Sequence, residues 1–126
     1  MKRDTFYKCE ICGNMVVKVV EGGGQVTCCG QPMSVIEPNT NDAAQEKHVP
    51  DVSVDGDVIA VNVGSVDHPM ADDHYIQWIY VVTDEGVIAR CLKPGGAPHA
   101  DIVLGEQKPL SVLEYCNKHG LWKTEL

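Results

Sequence analysis

Alternation of apolar and polar residues dominates the sequence from residue 51 onward and predicts a series of short β-strands. Ile59, Val61 and Val63 share one face of such a strand, because successive side chains of a strand point to opposite sides. Asp55-Gly56 lies between two apolar runs and is a strong hairpin signal. The predicted strands cover residues 51–54, 58–63, 74–83, 87–92, 100–104 and 110–115. Short strands at this spacing indicate an all-β fold, an antiparallel sandwich or barrel.

The longest predicted strand covers residues 74–83. Its even-numbered side chains, from His74 to Val82, are expected on one face, and its odd-numbered side chains, from Tyr75 to Val81, on the other. His74 is the first residue of this predicted strand.

The first 37 residues have a different pattern. Segments 6–8 and 14–20 are interpreted as short strands, and the three glycines 22–24 as a turn. This region has too little apolar content for a core of its own, so we expect it to be unfolded without a metal.

Residues 37–42 are polar, lack periodicity and mark the expected junction between domains 1–37 and 38–126. A single helical turn is predicted over residues 42–46, with Asn41 as its cap and Pro50 as its stop.

Composition and charge narrow the function classes. The chain has 126 residues, of which 44% are hydrophobic, and a formal net charge of −8, a balance that opposes binding to nucleic acid or to an anionic membrane surface. No apolar run approaches the roughly 20 residues that cross a bilayer. The N-terminus also lacks the apolar core of a signal peptide. We therefore expect a cytoplasmic protein, in which a small anionic substrate would need a local cation.

Four cysteines form an N-terminal group: Cys9, Cys12, Cys28 and Cys29. Six cysteines in all would allow three disulfides in a secreted protein, but a bridge between the adjacent Cys28 and Cys29 would be strained. Thiolate ligation of a metal is the better interpretation. Residue types alone leave structural zinc and redox-active iron open, and adjacent ligands predict a distorted tetrahedron.

A second group combines imidazoles with a thiolate: His48, His68, His74, Cys116 and His119. A lone histidine is usually a surface residue, but all of these lie at predicted strand ends or in loops, which can cluster at one end of a sandwich. Five such ligands leave one position of an octahedron open, as a catalytic metal requires. Ligands of such different softness suit iron better than zinc.

The chain resembles the desulfoferrodoxins, the two-iron class of superoxide reductase, over essentially its whole length. The motifs that carry the resemblance are Tyr7-Lys8-Cys9-x-x-Cys12-Gly13-Asn14, Cys28-Cys29, Glu46-Lys47-His48-Val49-Pro50, Val63-Gly64-Ser65-Val66-x-His68-Pro69-Met70, His74-Tyr75-Ile76-x-Trp78 and Glu114-Tyr115-Cys116-Asn117-x-His119-Gly120-x-Trp122.

The resemblance implies a small desulforedoxin-like (rubredoxin-like) domain followed by an immunoglobulin-like β-sandwich. It implies two iron ions per chain, one held by the N-terminal cysteines and one by four equatorial histidines and the axial Cys116. The implied reaction is one-electron reduction of superoxide to hydrogen peroxide, with electrons from a rubredoxin-type donor. A homodimer is also implied.

Glu46 and Lys47 precede His48, and a Glu-Lys pair is more often two solvated surface charges. The resemblance instead implies that Lys47 attracts the anion and orients a water as the proton source. Glu46 would be the carboxylate that closes the sixth position of ferric iron and leaves on reduction.

Three other functions stay open at this point: a non-catalytic electron carrier, a zinc-stabilised interaction module, and superoxide dismutation. Outside both cysteine and histidine groups, Cys91 is expected to be a small buried hydrophobe and His99 a surface residue in a loop. Trp78 and Trp122 are expected to pack in the core or around the ligands.

Overall fold

The structure is a computed structural model and describes residues 3–126. Two compact units divide the chain, with bounds Met1–Glu37 and Pro38–Leu126. Within the described residues, regular structure consists of twelve β-strands and one helix of four residues. The prediction of an all-β chain is therefore confirmed. That short helix also means that no described helix is long and apolar enough to cross a membrane.

The N-terminal unit is built from five very short strands. A three-stranded antiparallel sheet has the order β2-β1-β5, and β3 pairs with β4. These strands are β1 (Phe6–Lys8), β2 (Met15–Val17), β3 (Thr27–Cys28), β4 (Gln31–Pro32) and β5 (Ser34–Ile36). β2 is shorter than the predicted strand 14–20, and the buried hydrophobic residues of the unit are only Phe6 and Cys9, among those described. Apolar burial therefore contributes little to the stability of this unit.

The C-terminal unit contains two antiparallel sheets, ordered β10-β7-β6 and β12-β11-β8-β9. Their strands are β6 (Pro50–Asp55), β7 (Val58–Val63), β8 (Ile76–Thr83), β9 (Val87–Cys91), β10 (His99–Val103), β11 (Pro109–Cys116) and β12 (Gly120–Glu125). β12 was not predicted from the sequence, although its Leu121 and Trp122 are buried.

The core of the sandwich lies between these sheets. Ile59, Val61 and Val63 of β7 have no exposed surface, and they belong to one cluster with Ile79 and Val81 of β8. This confirms the predicted buried face of residues 58–63. Because each fully buried valine or isoleucine contributes roughly 1.5–3 kcal/mol, the C-terminal unit has a substantial apolar core that does not depend on metal.

A β-bulge interrupts the alternation of β8. Tyr115 pairs with Trp78, but the next residue of β11, Cys116, pairs with Ile76, which leaves Gln77 as an extra residue. Ile76 consequently lies in the core with Ile79, so its predicted placement on the face of Trp78 is wrong. Bulges commonly re-aim side chains beside functional sites, and the extra residue of this one lies three residues after His74.

The helix is displaced from its predicted position. It is α1 (Gln45–His48), with Ala44 and not Asn41 at its N-cap position. Asn41 Oδ1 accepts from the backbone N–H of Ala43 at 2.9 Å, so this side chain closes a turn that precedes the helix. Pro50 begins β6.

Candidate metal centres

Three segments at one end of the sandwich bring the second predicted group of side chains together. α1 carries His48, the segment between β7 and β8 carries His68 and His74, and the β11–β12 hairpin carries Cys116 and His119. One potential ligand atom from each residue lies within 4.8 Å of all the others. The expected convergence of these five side chains is therefore seen in the structure.

The imidazoles form a closed ring of four. The sequence around the ring is His48, His68, His74 and His119, with neighbouring centroids 4.6 to 5.0 Å apart and interplanar angles between 73° and 89°. Each imidazole thus stands nearly perpendicular to both of its neighbours. This arrangement points one nitrogen of each ring toward a common centre.

Hydrogen bonds assign the tautomers of the two buried imidazoles. His48 Nδ1 donates to the carbonyl oxygen of Ala44 at 2.7 Å, and His68 Nδ1 donates to the carbonyl oxygen of Pro69 at 2.7 Å. Each neutral ring therefore has a lone pair on Nε2, yet these two Nε2 atoms are 3.1 Å apart. Two facing acceptors at this distance repel unless a cation lies between them.

The spacing of the donor atoms fits a metal ion. Bonds of about 2.1 Å to nitrogen place neighbouring corners of a square about 3.0 Å apart. His48 Nε2 lies 3.1 Å from His68 Nε2 and 3.2 Å from His119 Nδ1. Cys116 Sγ lies 3.4 Å from His68 Nε2 and 3.9 Å from His119 Nδ1. His74 Nε2 is buried and lacks a hydrogen-bond partner among the described residues, as expected of an atom reserved for a metal.

The hairpin fixes Cys116 and His119. Cys116 pairs with Gly120 across a three-residue loop, and Gly120 has φ +84°, the left-handed conformation that closes such loops. Trp122 Nε1 donates to the carbonyl oxygen of His119 at 3.1 Å, and its ring stacks on His48 at 5.0 Å. Trp122 thus packs around the ligands as expected.

His74 is held by the same hairpin. The Asn117 side chain accepts from Tyr75 N–H at 3.0 Å and donates to the carbonyl oxygen of Asp73 at 2.9 Å. His74 is further paired with Ala71 by two backbone hydrogen bonds. The amide of Asn117 therefore ties the segment before β8 to the loop that carries His119.

A cavity of about 260 Å³ gives access to the imidazoles. It is lined by His48, His68, His74 and His119 together with Ala43, Ala44, Lys47 and Pro69. Cys116 has no exposed surface, so the cavity reaches the ring edges and not the sulfur. Lys47 borders this cavity, whereas Glu46 borders a neighbouring cavity of about 280 Å³ with Asp51 and Ser65. The structure therefore brings Lys47, and not Glu46, to the imidazole cluster.

Burial shapes the charge of the cluster. It lowers the pKa of His68 to about 4 and lowers the pKa of His48 and His74. The imidazoles of His48, His68 and His74 are consequently neutral ligands at physiological pH. Burial also raises the pKa of the Cys116 thiol, and the backbone N–H groups of Lys118 and His119 oppose this effect by donating to the sulfur.

Glu114 is a buried carboxyl that sequence reasoning did not single out. It has no exposed surface, and neither oxygen has a hydrogen-bond partner among the described residues. Burial raises the pKa of Glu114 to about 9, so the group is protonated at neutral pH. The sequence around Glu114 does not show that it is buried. Its burial follows from its position in β11, where it lies on the same face as Val112 and Cys116.

The N-terminal cysteines form the other cluster. Because it comes first in the chain, its metal site is called the first centre, and the site of the imidazoles and Cys116 is called the second centre. The sulfurs of the first centre lie within 4.8 Å of one another, with Cys12 Sγ 3.6 Å and Cys29 Sγ 3.9 Å from Cys28 Sγ. Metal–sulfur bonds of about 2.3 Å in a tetrahedron require sulfurs about 3.8 Å apart. Cys29 has φ +52°, which is how two adjacent residues direct both sulfurs to one point. Cys12 and Cys29 are exposed, whereas Cys9 is buried.

The free sulfurs of this cluster differ in acidity. Backbone N–H groups of Cys12 and Ile11 donate to the Cys9 sulfur and lower the pKa of Cys9 to about 6. The pKa of Cys29 rises to about 12, mainly through hydrogen bonding to the sulfurs of Cys12 and Cys9. Cys29 is therefore a thiol at neutral pH in the metal-free chain, and a bound cation is needed for all four sulfurs to be thiolates at these distances.

Two residues outside both clusters differ from expectation. Cys91 is exposed, so the expected burial is wrong, because β9 is an edge strand. His99 begins β10 and is not in a loop. Its ring is hydrogen-bonded to Asn62 and Asp101.

Comparison with known proteins agrees with these two clusters. The family model described as Desulfoferrodoxin matches residues 40–125, and the one described as Desulfoferrodoxin, N-terminal domain, matches residues 2–36. The desulfoferrodoxin of Desulfarculus baarsii is 50% identical over 121 residues, and that of Syntrophotalea carbinolica is 48% identical over 121 residues, with 94% of each chain covered in both cases. The solved superoxide reductase from Treponema pallidum superposes with a TM-score of 0.80 at 34% identity, covering 96% of this chain and 98% of that one.

Proposed function

We infer that this chain, which belongs to the desulfoferrodoxin family, is a superoxide reductase that converts superoxide to hydrogen peroxide at its imidazole cluster. The observation that carries the inference is the ring of four imidazoles beside the buried Cys116, facing a cavity that Lys47 borders. Five ligands leave one octahedral position for a small substrate, as a catalytic site requires.

Two iron ions per chain are assigned to the two clusters. We propose that the domain 38–126 holds its iron through His48, His68, His74, His119 and Cys116. The domain 1–37 holds the other through Cys9, Cys12, Cys28 and Cys29. The tautomers of His48 and His68 support the assignment of an iron to the domain 38–126, because Nε2 of each ring presents a lone pair toward the other ligands.

The reaction consumes one superoxide, one electron and two protons and releases one hydrogen peroxide. Iron bound in the cluster supplies the electron. Lys47 draws the anion into the cavity, which matters in a chain of net charge −8. Its ammonium group orients a water that donates protons to the reduced oxygen, so that peroxide leaves with its O–O bond intact.

Glu46 has a second proposed role. It lies on the same helical turn as Lys47 but borders the neighbouring cavity. We propose that its carboxylate rotates into the imidazole cavity in the oxidised protein and withdraws on reduction, so that superoxide meets an open site.

The first centre is proposed as the entry point for electrons. Cys12 and Cys29 are exposed, which gives a rubredoxin-type donor close access to their sulfurs. We further propose that the protein is a homodimer and acts in the cytoplasm, where thiols outside its metal sites, such as Cys91, stay reduced. Sedimentation of the iron-loaded chain tests the dimer.

The decisive experiment mixes the reduced, iron-loaded protein with superoxide in a rapid-mixing spectrometer. We expect each second centre to be oxidised once per superoxide, with one hydrogen peroxide formed and no oxygen released. The matched variant His119→Ala, which removes one imidazole, is expected to lose this reaction while the first centre keeps its absorption.

Three outcomes would reject the proposal. Release of oxygen without consumption of reductant would indicate dismutation. A second centre whose spectrum does not respond to cyanide or azide would indicate an electron carrier. A colourless protein that contains zinc would indicate an interaction module.

A further inference from the structure

One side chain, the amide of Asn62, ties down both ends of the segment that leads to His68. Asn62 Nδ2 donates to the carbonyl oxygen of Gly64 at 2.7 Å and to Asp67 Oδ1 at 2.8 Å. Its neighbours in β7, Val61 and Val63, face the core, so Asn62 lies on the outer face of the sheet. It reaches the imidazole cluster only through the segment 64–68.

His99 sets the orientation of this amide. It lies opposite Asn62 in the register of β10 and β7, and His99 Nδ1 lies 3.3 Å from Asn62 Oδ1, to which it donates in the tautomer that carries hydrogen on Nδ1. His99 Nε2 in turn lies 2.8 Å from Asp101 Oδ1. Because Oδ1 of Asn62 faces His99, its Nδ2 must face Gly64 and Asp67. Side chains from two strands thus form a continuous chain that ends beside His68.

The segment 64–68 carries His68 and is hydrogen-bonded to α1, which carries His48. Its backbone N–H at Val66 donates to the carbonyl oxygen of Glu46 at 2.8 Å, and Ser65 Oγ donates to the same oxygen at 3.3 Å. His68 N–H donates to the carbonyl oxygen of Val63 at 2.7 Å. Movement of this segment would displace His68 directly and α1, with Lys47 and His48, through Glu46.

We propose that Asn62, oriented by His99, is a positioning residue of the imidazole metal centre. It holds the segment 64–68 in place, so that His68 and α1 present their side chains at the spacing a metal requires. Neither Asn62 nor His99 lines the cavity, so both act through the backbone that they restrain. The effect on superoxide reduction rests on the proposed function, whereas the effect on the centre itself does not.

The test uses the iron-loaded full chain and the variant Asn62→Asp. This change keeps the shape of the side chain but replaces the N–H donor by oxygen, so two carboxylates then face each other. Loss of both hydrogen bonds is expected to raise the hydrogen-exchange rate of the peptide 64–68 about 25-fold, since one bond corresponds to roughly a factor of five. We also expect a shifted absorption band of the second centre and a superoxide rate about tenfold lower, within the range seen for residues that orient ligands.

A double variant supplies the rescue. In the double variant with Asn62→Asp and Asp67→Asn, the donor and the acceptor are swapped. The hydrogen-exchange rate of the peptide 64–68 and the absorption of the second centre are then expected to return part of the way to their native values. Ser53→Ala on the same outer face is the control, and it should leave all three readouts unchanged. His99→Phe removes the group that orients the amide, and it should shift the three readouts in the same direction as Asn62→Asp by a smaller factor. This variant replaces Asn62→Asp in the test if Asn62→Asp does not fold.

The proposal is overturned if the single variants leave both exchange and absorption at native values, or if the double variant is no closer to native than Asn62→Asp. Exchange and absorption are measured without superoxide. A native chain that failed to reduce superoxide would therefore refute the proposed function, while leaving this test of positioning intact.

Discussion

Gly64 packs so closely against α1 that a Cβ atom on it would lie 2.7 Å from the carbonyl oxygen of Glu46. It would also lie 2.8 Å from the carbonyl oxygen of Val49, and neither backbone atom can move without displacing His48. The close approach of this glycine therefore positions one of the elements that form the imidazole cluster.

Gly64→Ala is expected to destabilise the C-terminal unit by about 1–3 kcal/mol, the usual cost of forcing an atom into packed structure. Chemical denaturation followed by tryptophan fluorescence measures this, and absorption of the second centre should weaken as well. Gly96→Ala is the matched control, because the nearest atom to its Cβ, Lys93 O, is 3.3 Å away. Equal losses in the two variants would contradict the argument.

Lys47→Ala is expected to slow the reaction with superoxide about tenfold, because steering by local charge changes association rates by this order. The absorption of the second centre should persist, since Lys47 is not one of the clustered ligands. Pulse radiolysis at low and high ionic strength measures the rate, and the salt dependence should weaken in the variant. Lys108→Ala, at the opposite end of the sandwich, controls for net charge, and a native rate in Lys47→Ala would refute the role.

Cys12→Ser is expected to remove the first iron and to unfold the N-terminal unit, whose buried hydrophobic residues are only Phe6 and Cys9 among the described positions. Reaction of the chemically pre-reduced second centre with superoxide should largely remain, because the sandwich has its own core. The iron content, measured by metal analysis, should fall from two ions per chain to one. Cys91→Ser, an exposed thiol outside both clusters, should keep two, and complete loss of activity in Cys12→Ser with the second iron present would contradict the prediction.

The metal-free protein should lose stability in mild acid. Burial lowers the pKa of His68 from 6.5 to about 4, so below pH 6.5 the unfolded chain binds a proton that the folded chain refuses. The free energy of unfolding should therefore fall as the pH drops from 6.5 toward 4, by up to about 3 kcal/mol from this residue. Urea denaturation after chelation measures this free energy. It should decline more steeply with falling pH in the native chain than in His68→Gln, and the difference between the two curves is the contribution of His68. Parallel curves for the two proteins would argue against a neutral, buried His68.

Local patterns predicted most of the strands. Alternation placed Ile59, Val61 and Val63 on a buried face, because the two-residue period of a strand is a property of the backbone itself. The same rule failed at Ile76, since a bulge depends on how β8 pairs with a distant strand. It also missed β12, where Leu121 and Trp122 are buried by contacts that no local pattern records.

The identities and order of the cysteines and histidines determined what chemistry this chain can hold, because ligand softness and protonation belong to the side chains themselves. Only the tertiary structure decided that His48, His68, His74 and His119 stand in a ring, that Lys47 borders their cavity, and that Glu46 does not. It also joined His99, on another strand, to the segment that holds His68. These relationships arise from pairing and packing between residues far apart in sequence. The number of residues between two positions does not determine how far apart they lie in the folded chain.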